Sequence, residues 1–97
     1  MRTIKEVVEF NWDEGNQGKN LKHNVTDEES EEVFFDQTRY IFKDIVHSQE
    51  EERLRILGKT KHGRLLFIVF TKRKNKIRII LARPINKKEV SLYEKAA

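Results

Sequence analysis

Arginines near the ends of short apolar runs are the residues of this chain best suited to chemistry. Arg78 and Arg83 both belong to the run KIRIILAR, which contains no acidic residue. A guanidinium group is planar and always charged, and it can bind a phosphate through two parallel hydrogen bonds. Residues 53–88 hold 13 lysines and arginines and no acid, whereas residues 1–52 hold 14 acids and 6 bases. We therefore expect a polyanion to balance the charge of the basic half.

A solvated sheet edge is the alternative interpretation of the basic half, because exposed lysines discourage aggregation through strand edges. That interpretation suits the lysines better than the arginines, whose forked donors match the geometry of phosphate. The arginines that support the interpretation of a polyanion as partner are Arg53, Arg55, Arg64, Arg78 and Arg83.

Cleavage of RNA is the reaction that best fits these residue types. A ribose 2′-hydroxyl can attack its own adjacent phosphate without a metal, provided that the protein supplies a base, an acid and positive charge. Arg64 and Arg83 are candidates for the charge, while Glu52 and His47 are candidates for the base and the acid. Plain alternatives stay open: Glu52 as an ion-pair partner, His47 as a loop histidine and Arg64 as a solvated turn residue.

Cofactor chemistry has no support in the sequence. The chain has no cysteine, and its histidines, His23, His47 and His62, fall in different segments. No phosphate-binding loop, dinucleotide motif or nucleophile elbow is present, so we expect no metal and no cofactor. No apolar run is long enough to span a membrane, and the N-terminus lacks the apolar core of a signal peptide. We expect a cytoplasmic protein without a membrane partner.

The elements that position these side chains follow from apolar periodicity and capping residues. The length of 97 residues predicts one domain. Thr26 and Glu29 have the spacing of a capping box, and so do Asn86 and Glu89. The prediction is an α+β fold, with a four- to five-stranded, mostly antiparallel sheet and two to three helices. Strands are predicted over residues 6–12, 39–44, 52–58, 64–71 and 76–83, and helices over 13–23, 26–35 and after Asn86.

Strict alternation along residues 76–83 predicts which side chains share a face of the sheet. Ile77, Ile79 and Leu81 fall on one face, which favours a core position for Leu81. Arg78 and Arg83 then fall on opposite faces, with Arg83 at the strand end and better placed for a site. In the strand predicted over residues 52–58, Arg53 and Arg55 share the face opposite Leu54 and Ile56.

The order of short motifs resembles that of the BrnT toxin family. The resemblance begins with FNWDEGN, KH-V and EEVFFD, and it continues through LGKTKHGRLLFIVFT, IRII-x-AR and N-K-K-E. It includes D-x-x-H-S-x-x-x-E-R, formed here by Asp44, His47, Ser48, Glu52 and Arg53. It covers the chain from about Phe10 to Tyr93. The family often has serine at the position of Leu81.

The resemblance implies a RelE-like fold over one toxin domain, residues 1–97, and a ribonuclease of a type II toxin–antitoxin pair that restrains growth. The implied partner is a BrnA-like antitoxin with a ribbon-helix-helix DNA-binding domain, through which alone the complex would reach operator DNA. A dimeric toxin within that complex stays open. The resemblance implies that the basic surface of residues 53–88 faces RNA. We predict that the catalytic residues are His47, Glu52, Arg64 and Arg83, and that the RNA-binding residues are Arg53, Lys59 and Arg78.

Two other functions remain compatible with the sequence. One is a catalytically weak module that binds RNA or the ribosome, which Leu81 favours because leucine cannot bond a phosphate oxygen. The other is a structural partner that completes a DNA-binding repressor through its antitoxin.

Overall fold

The computed structural model describes residues 8–46 and 51–96. The elements in these residues are β1 (Glu9–Phe10), a 3-10 helix (Lys19–His23), α1 (Asp27–Val33), β2 (Tyr40–Lys43), β3 (Leu54–Lys59), β4 (Leu65–Arg73), β5 (Lys76–Pro84) and α2 (Lys87–Ala96). The five strands of the described residues form one sheet in the order β1-β5-β4-β3-β2. β1 runs parallel to β5, whereas the other neighbouring pairs are antiparallel. The predicted α+β class with a mostly antiparallel sheet is confirmed.

The sheet divides the apolar side chains between two faces. The face that packs against α1, the α1 face, includes Ile56, Ile68 and Phe70. The opposite face, the α2 face, includes Phe67 and Val69 and packs against Tyr93 of α2. β4 contributes to both clusters because it lies at the centre of the sheet, so its residues are apolar at successive positions.

Both predicted capping boxes are present. The Thr26 side chain accepts a hydrogen bond from the Glu29 backbone N–H, and the Glu29 side chain accepts one from the Thr26 backbone N–H. Asn86 and Glu89 exchange the same pair of bonds at the start of α2. These bonds satisfy N–H groups that the first helical turn leaves without partners. The two capping boxes therefore determine where both helices begin.

The helix predicted over residues 13–23 is wrong. Only Lys19–His23 are helical, in a 3-10 helix that follows Gly18 in the left-handed conformation. Two buried asparagines fix this segment against β5: Asn16 Nδ2 donates to the Ile79 carbonyl, and Asn20 Oδ1 accepts from the Ala82 N–H. β1 pairs with only a short part of β5, and these two side chains supply further hydrogen bonds to β5. The segment forms these bonds instead of a regular α-helix.

A β-bulge interrupts β5. Val69 lies opposite Leu81 while the next residue, Phe70, lies opposite Ile79, so Ile80 is an extra residue in β5. Ile79 therefore packs on the α1 face, whereas Leu81 packs on the α2 face. The prediction that Leu81 shares a face with Ile79 is wrong, because an extra residue reverses the alternation beyond it.

The bulge also corrects the placement of the two arginines of β5. Arg78 pairs with Thr71, which follows Val69 by two positions on the regular strand β4, so Arg78 lies on the α2 face. Arg83 contacts Phe67 on that same face. The prediction that Arg78 and Arg83 lie on opposite faces is wrong for the same physical reason.

In the described residues, no helix has the length and apolarity needed to cross a membrane.

Candidate functional site

An open cleft of about 260 Å³ lies on the α2 face of the sheet, across β3, β4 and β5. Its lining combines an apolar floor from β4 and β5 with charged side chains from β3, from β5 and from the segment between β2 and β3. The lining residues are Asp44, Arg53, Arg55, Phe67, Val69, Ile80, Leu81 and Arg83.

The strand patterns explain why these residues meet. Arg53 and Arg55 alternate with the α1-face residues Leu54 and Ile56, as predicted, and so lie on the α2 face. On β5 the bulge turns Leu81 and Arg83 toward the same cleft. Without the extra residue in β5, regular alternation would place both on the α1 face. The bulge therefore assembles the cleft.

Arg83 is held in a defined orientation at one end of the cleft. Its Nη1 and Nη2 donate to the two carboxylate oxygens of Glu89 at 3.0 and 2.7 Å. Its Cζ lies 4.0 Å from the centre of the Phe67 ring. A cation over an aromatic face is attracted by the ring quadrupole, so both contacts stabilise one position of the guanidinium group.

Arg55 approaches the same ring from the neighbouring strand. Its Cζ lies 5.5 Å from the centre of the Phe67 ring and 5.9 Å from that of Phe42. Its Nη2 donates to Asp44 Oδ1 at 3.3 Å, and the Asp44 side chain is only 3% exposed. The Nε of Arg55 is buried and has no acceptor in the described part of the chain. A buried donor without an acceptor is costly, so the folded protein holds Arg55 with one hydrogen-bonding group unsatisfied.

Two cations thus converge on one aromatic ring beside an open surface. Burial of their stems against apolar residues weakens solvent screening and strengthens their attraction for anions. An apolar floor beside charged groups accepts the flat face of a base, and guanidinium forks accept phosphate oxygens. The arrangement is therefore chemically suited to a nucleotide unit of a single strand.

The structure brings Arg53 and Arg83 together in the cleft, but it places Glu52 outside its lining. The Glu52 side chain is 61% exposed and lies 3.8 Å from the ammonium of Lys43. His47 lies outside the described residues.

The remaining predicted site residues lie elsewhere. Arg64 donates to both carboxylate oxygens of Glu29, each at 3.1 Å, at the start of α1. The backbone N–H of Thr26 and the Arg64 pairing outweigh desolvation and lower the pKa of Glu29. Lys59 is exposed at the end of β3.

Arg78 lies on the same face as the cleft but outside its lining, held by Asn11 and Asp13. The hydrogen bond from Arg78 is the main reason that the pKa of Asp13 is lowered. The expectation that no acid balances the two arginines of β5 is wrong: Asp13 pairs with Arg78, and Glu89 pairs with Arg83. Folding brings these acids in from outside residues 53–88, so segregation of charge along the chain does not persist on the surface.

Several cleft residues were not among the predicted site residues. Asp44 stood in the quoted motif that also contains His47, which was a usable signal. Arg55 was named among the arginines that favour a polyanion, and its alternation with Arg53 could have assigned it to the site. Leu81 was noted only as the position where the family often has serine, and its place in the cleft depends on the bulge. Phe67 gave no signal, because it belongs to a continuously apolar strand.

Metal ligands do not cluster in residues 8–46 and 51–96: no group of three or more histidine, aspartate or glutamate side chains could hold an ion there. The cleft therefore offers guanidinium groups as its source of positive charge within the described residues.

Comparison with protein families gives one match. Residues 12–89 match the family described as ribonuclease toxin, BrnT, of type II toxin–antitoxin system. No match is found among curated proteins. The matched segment spans most of the chain and includes every strand that lines the cleft. The chain belongs to the BrnT family of ribonuclease toxins of type II toxin–antitoxin systems, and such a toxin has an antitoxin as its partner.

Proposed function

We propose that the protein is an endoribonuclease that cleaves RNA without a metal ion. The main support is the convergence of Arg55 and Arg83 on Phe67 at the open cleft. The 2′-oxygen forms a bond to the adjacent phosphorus as the bond from phosphorus to the 5′-oxygen breaks. A base takes the 2′-hydroxyl proton and an acid protonates the leaving oxygen, so the products are a 2′,3′-cyclic phosphate and a 5′-hydroxyl.

The cleft arginines would stabilise the negative charge that develops on the phosphorane. Arg83 and Arg55 are the proposed phosphate ligands, with Arg53 binding a neighbouring part of the backbone. Asp44 would hold Arg55 rather than react, because its buried carboxylate accepts a hydrogen bond from Arg55 Nη2. His47 and Glu52 remain the proposed base and acid.

The other sequence candidates have more peripheral proposed roles. Lys59 and Arg78 would bind RNA outside the cleft, where exposed cations add affinity that falls with salt. The pairing of Arg64 with Glu29 supports a role in holding the start of α1 rather than a catalytic role.

The proposed partner is a BrnA-like antitoxin with a ribbon-helix-helix domain, which would neutralise the toxin in the cytoplasm. The complex would contact operator DNA only through the antitoxin, and a dimeric toxin within it is part of the proposal. The match to a toxin of a type II system supports the existence of an antitoxin and leaves its class to experiment.

A cleavage assay tests the proposed reaction. The isolated protein, freed of metal by EDTA, should cut single-stranded RNA and leave cyclic phosphate or 3′-phosphate ends. An analogue with 2′-deoxyribose at the cut site should resist. Activity that EDTA abolishes and magnesium restores would contradict the mechanism.

Substitution of Arg83 tests the site. Arg83→Ala should lower the rate roughly a hundredfold, because a positioned donor to a developing charge contributes about 3 kcal/mol. Arg73→Ala is the matched control, since Arg73 forms a similar two-bond pair with Glu51 away from the cleft. Equal losses from both substitutions would indicate a general basic surface without an organised site.

A catalytically weak RNA-binding module is the second candidate. Leu81 favours it, because its side chain lines the cleft near Arg83, where the family often has a hydroxyl. In that case the protein would bind the deoxy-substituted and unmodified RNA equally and cut neither.

A further inference from the structure

Arg83 is fixed by three groups of the protein. Its Nη1 donates to the Pro84 carbonyl at 3.1 Å and to Glu89 Oε1 at 3.0 Å, while its Nη2 donates to Glu89 Oε2 at 2.7 Å. The Phe67 ring covers one face of the guanidinium group. The side chain therefore has little freedom to rotate.

These contacts leave one edge of the guanidinium group available. A guanidinium group has five N–H donors. Both donors of Nη1 and one donor of Nη2 are used, which leaves the Nε–H and the second Nη2–H without acceptors among the described residues. These two donors lie on the same edge and point in parallel. Such an edge binds two phosphate oxygens at once.

Glu89 is itself held in place by the start of α2. Its side chain is 12% exposed. Its Oε1 accepts from the Asn86 N–H at 3.0 Å, and its own N–H donates to Asn86 Oδ1 at 2.9 Å. The carboxylate therefore joins the first turn of α2 to the guanidinium at the end of β5.

We propose that Glu89 is a positioning residue: it binds one edge of Arg83 and so presents the edge formed by Nε and Nη2 to a phosphate of the RNA. This inference rests on the proposed ribonuclease function. It assigns to the capping glutamate a role in the reaction without direct contact to substrate. A misplacement of a reacting group by about 1 Å can cost a hundredfold in rate, so orientation of Arg83 matters as much as its charge.

Two other roles of Glu89 make different predictions. If Glu89 only neutralised Arg83, its removal would strengthen RNA binding and raise the rate. If Glu89 only capped α2, its removal would lower stability and leave the activity of the folded protein unchanged. A positioning role instead lowers kcat while KM stays constant or falls, because the total positive charge near the RNA rises.

Glu89→Gln is the test, because glutamine keeps an oxygen for the Asn86 N–H but cannot offer a second acceptor to Arg83. We expect kcat to fall about tenfold or more, with KM unchanged or lower. Asn86→Ala is the matched control, since it removes the other half of the capping box and leaves the Arg83 pair intact. It should lower the melting temperature and preserve kcat.

A spectroscopic measurement makes the inference independent of cleavage. With nitrogen-15 in the arginines, the Nη protons of Arg83 should exchange slowly in the wild type and in Asn86→Ala, and rapidly in Glu89→Gln. A wild type that cuts no RNA would overturn the proposed function, while the exchange data would still show whether Glu89 orients Arg83. Slow exchange in Glu89→Gln, an unchanged kcat, or an equal loss of kcat in Asn86→Ala would overturn the inference.

Discussion

Leu81 lies opposite Val69 across the ladder of β4 and β5, although Ile79 lies opposite Phe70. The extra residue between them, Ile80, moves Leu81 from the α1 face to the floor of the cleft. Ile79 is 1% exposed and belongs to the α1-face core, whereas Leu81 is half-buried. Ile79 and Leu81 are two positions apart, which in a regular strand places both side chains on one face. Here they lie on opposite faces and have different environments.

Substitution of these two residues by serine should separate their roles. We expect Ile79→Ser to lower the free energy of unfolding by about 3 kcal/mol or more, because it opens a cavity and buries a hydroxyl. We expect Leu81→Ser to cost only about 1 kcal/mol, because the cleft already admits water to this side chain. Urea denaturation of both variants measures the difference. Equal costs would contradict the reversed alternation.

The sequence predicted those features that depend on neighbouring residues. The capping boxes at Thr26 and Asn86 were correct because their partners are three residues away. The alternation of Arg55 with Leu54 and Ile56 was correct because β3 is regular over these positions. Predictions from neighbouring residues of this kind hold in the folded protein when no tertiary contact competes with the local interaction.

Other features depend on contacts between distant residues and could not be predicted. The bulge at Ile80 falls within four consecutive apolar residues, 79–82, so no polar residue inside this run marks the change of face. The pairing of Arg78 with Asp13 joins residues 65 positions apart. A helix over residues 13–23 was predicted from Asp13 as a capping residue, although Asn16 and Asn20 bind β5 instead.

The pairing of Asp36 with Tyr93 should make stability depend on pH in the acid range. Burial opposes ionisation of Asp36, but hydrogen bonds from Tyr93, Thr38 and the Lys59 N–H outweigh it and lower its pKa from 3.8 to about 2. Because the folded pKa lies below the unfolded one, the stabilisation is complete above about pH 4 and is lost as the pH falls toward 2.

Tyr93→Phe tests this pairing. The variant removes the hydroxyl that donates to Asp36 Oδ2 at 2.7 Å, so the pKa of Asp36 should rise toward 3.8. The loss of stability between pH 4 and pH 2 should become shallower than in the wild type. Carbon-13 titration of the Asp36 carboxyl and melting temperatures across this range measure both effects. Tyr40→Phe, on the same face of the sheet, is the control and should leave the titration unchanged.

The two buried asparagines beside β5 should differ in their contribution to stability. Asn16 is 4% exposed and forms three hydrogen bonds: its Oδ1 accepts from the Asp13 N–H, and its Nδ2 donates to the carbonyls of Asn11 and Ile79. Asn20 is 2% exposed, accepts one bond from the Ala82 N–H, and has a buried Nδ2 with no acceptor in the described residues. A buried polar group contributes stability only through the bonds it forms.

Alanine substitutions at these positions remove identical atoms and so isolate the hydrogen bonds. We expect Asn16→Ala to lower the free energy of unfolding by about 3 kcal/mol and Asn20→Ala by about 1 kcal/mol, since the second also removes an unsatisfied donor. Urea denaturation gives both values, and hydrogen exchange of the Ala82 N–H should accelerate only in Asn20→Ala. An Asn20→Ala variant as destabilised as Asn16→Ala would show that the Asn20 amide has a partner, such as a bound water, that makes it equally important to the junction with β5.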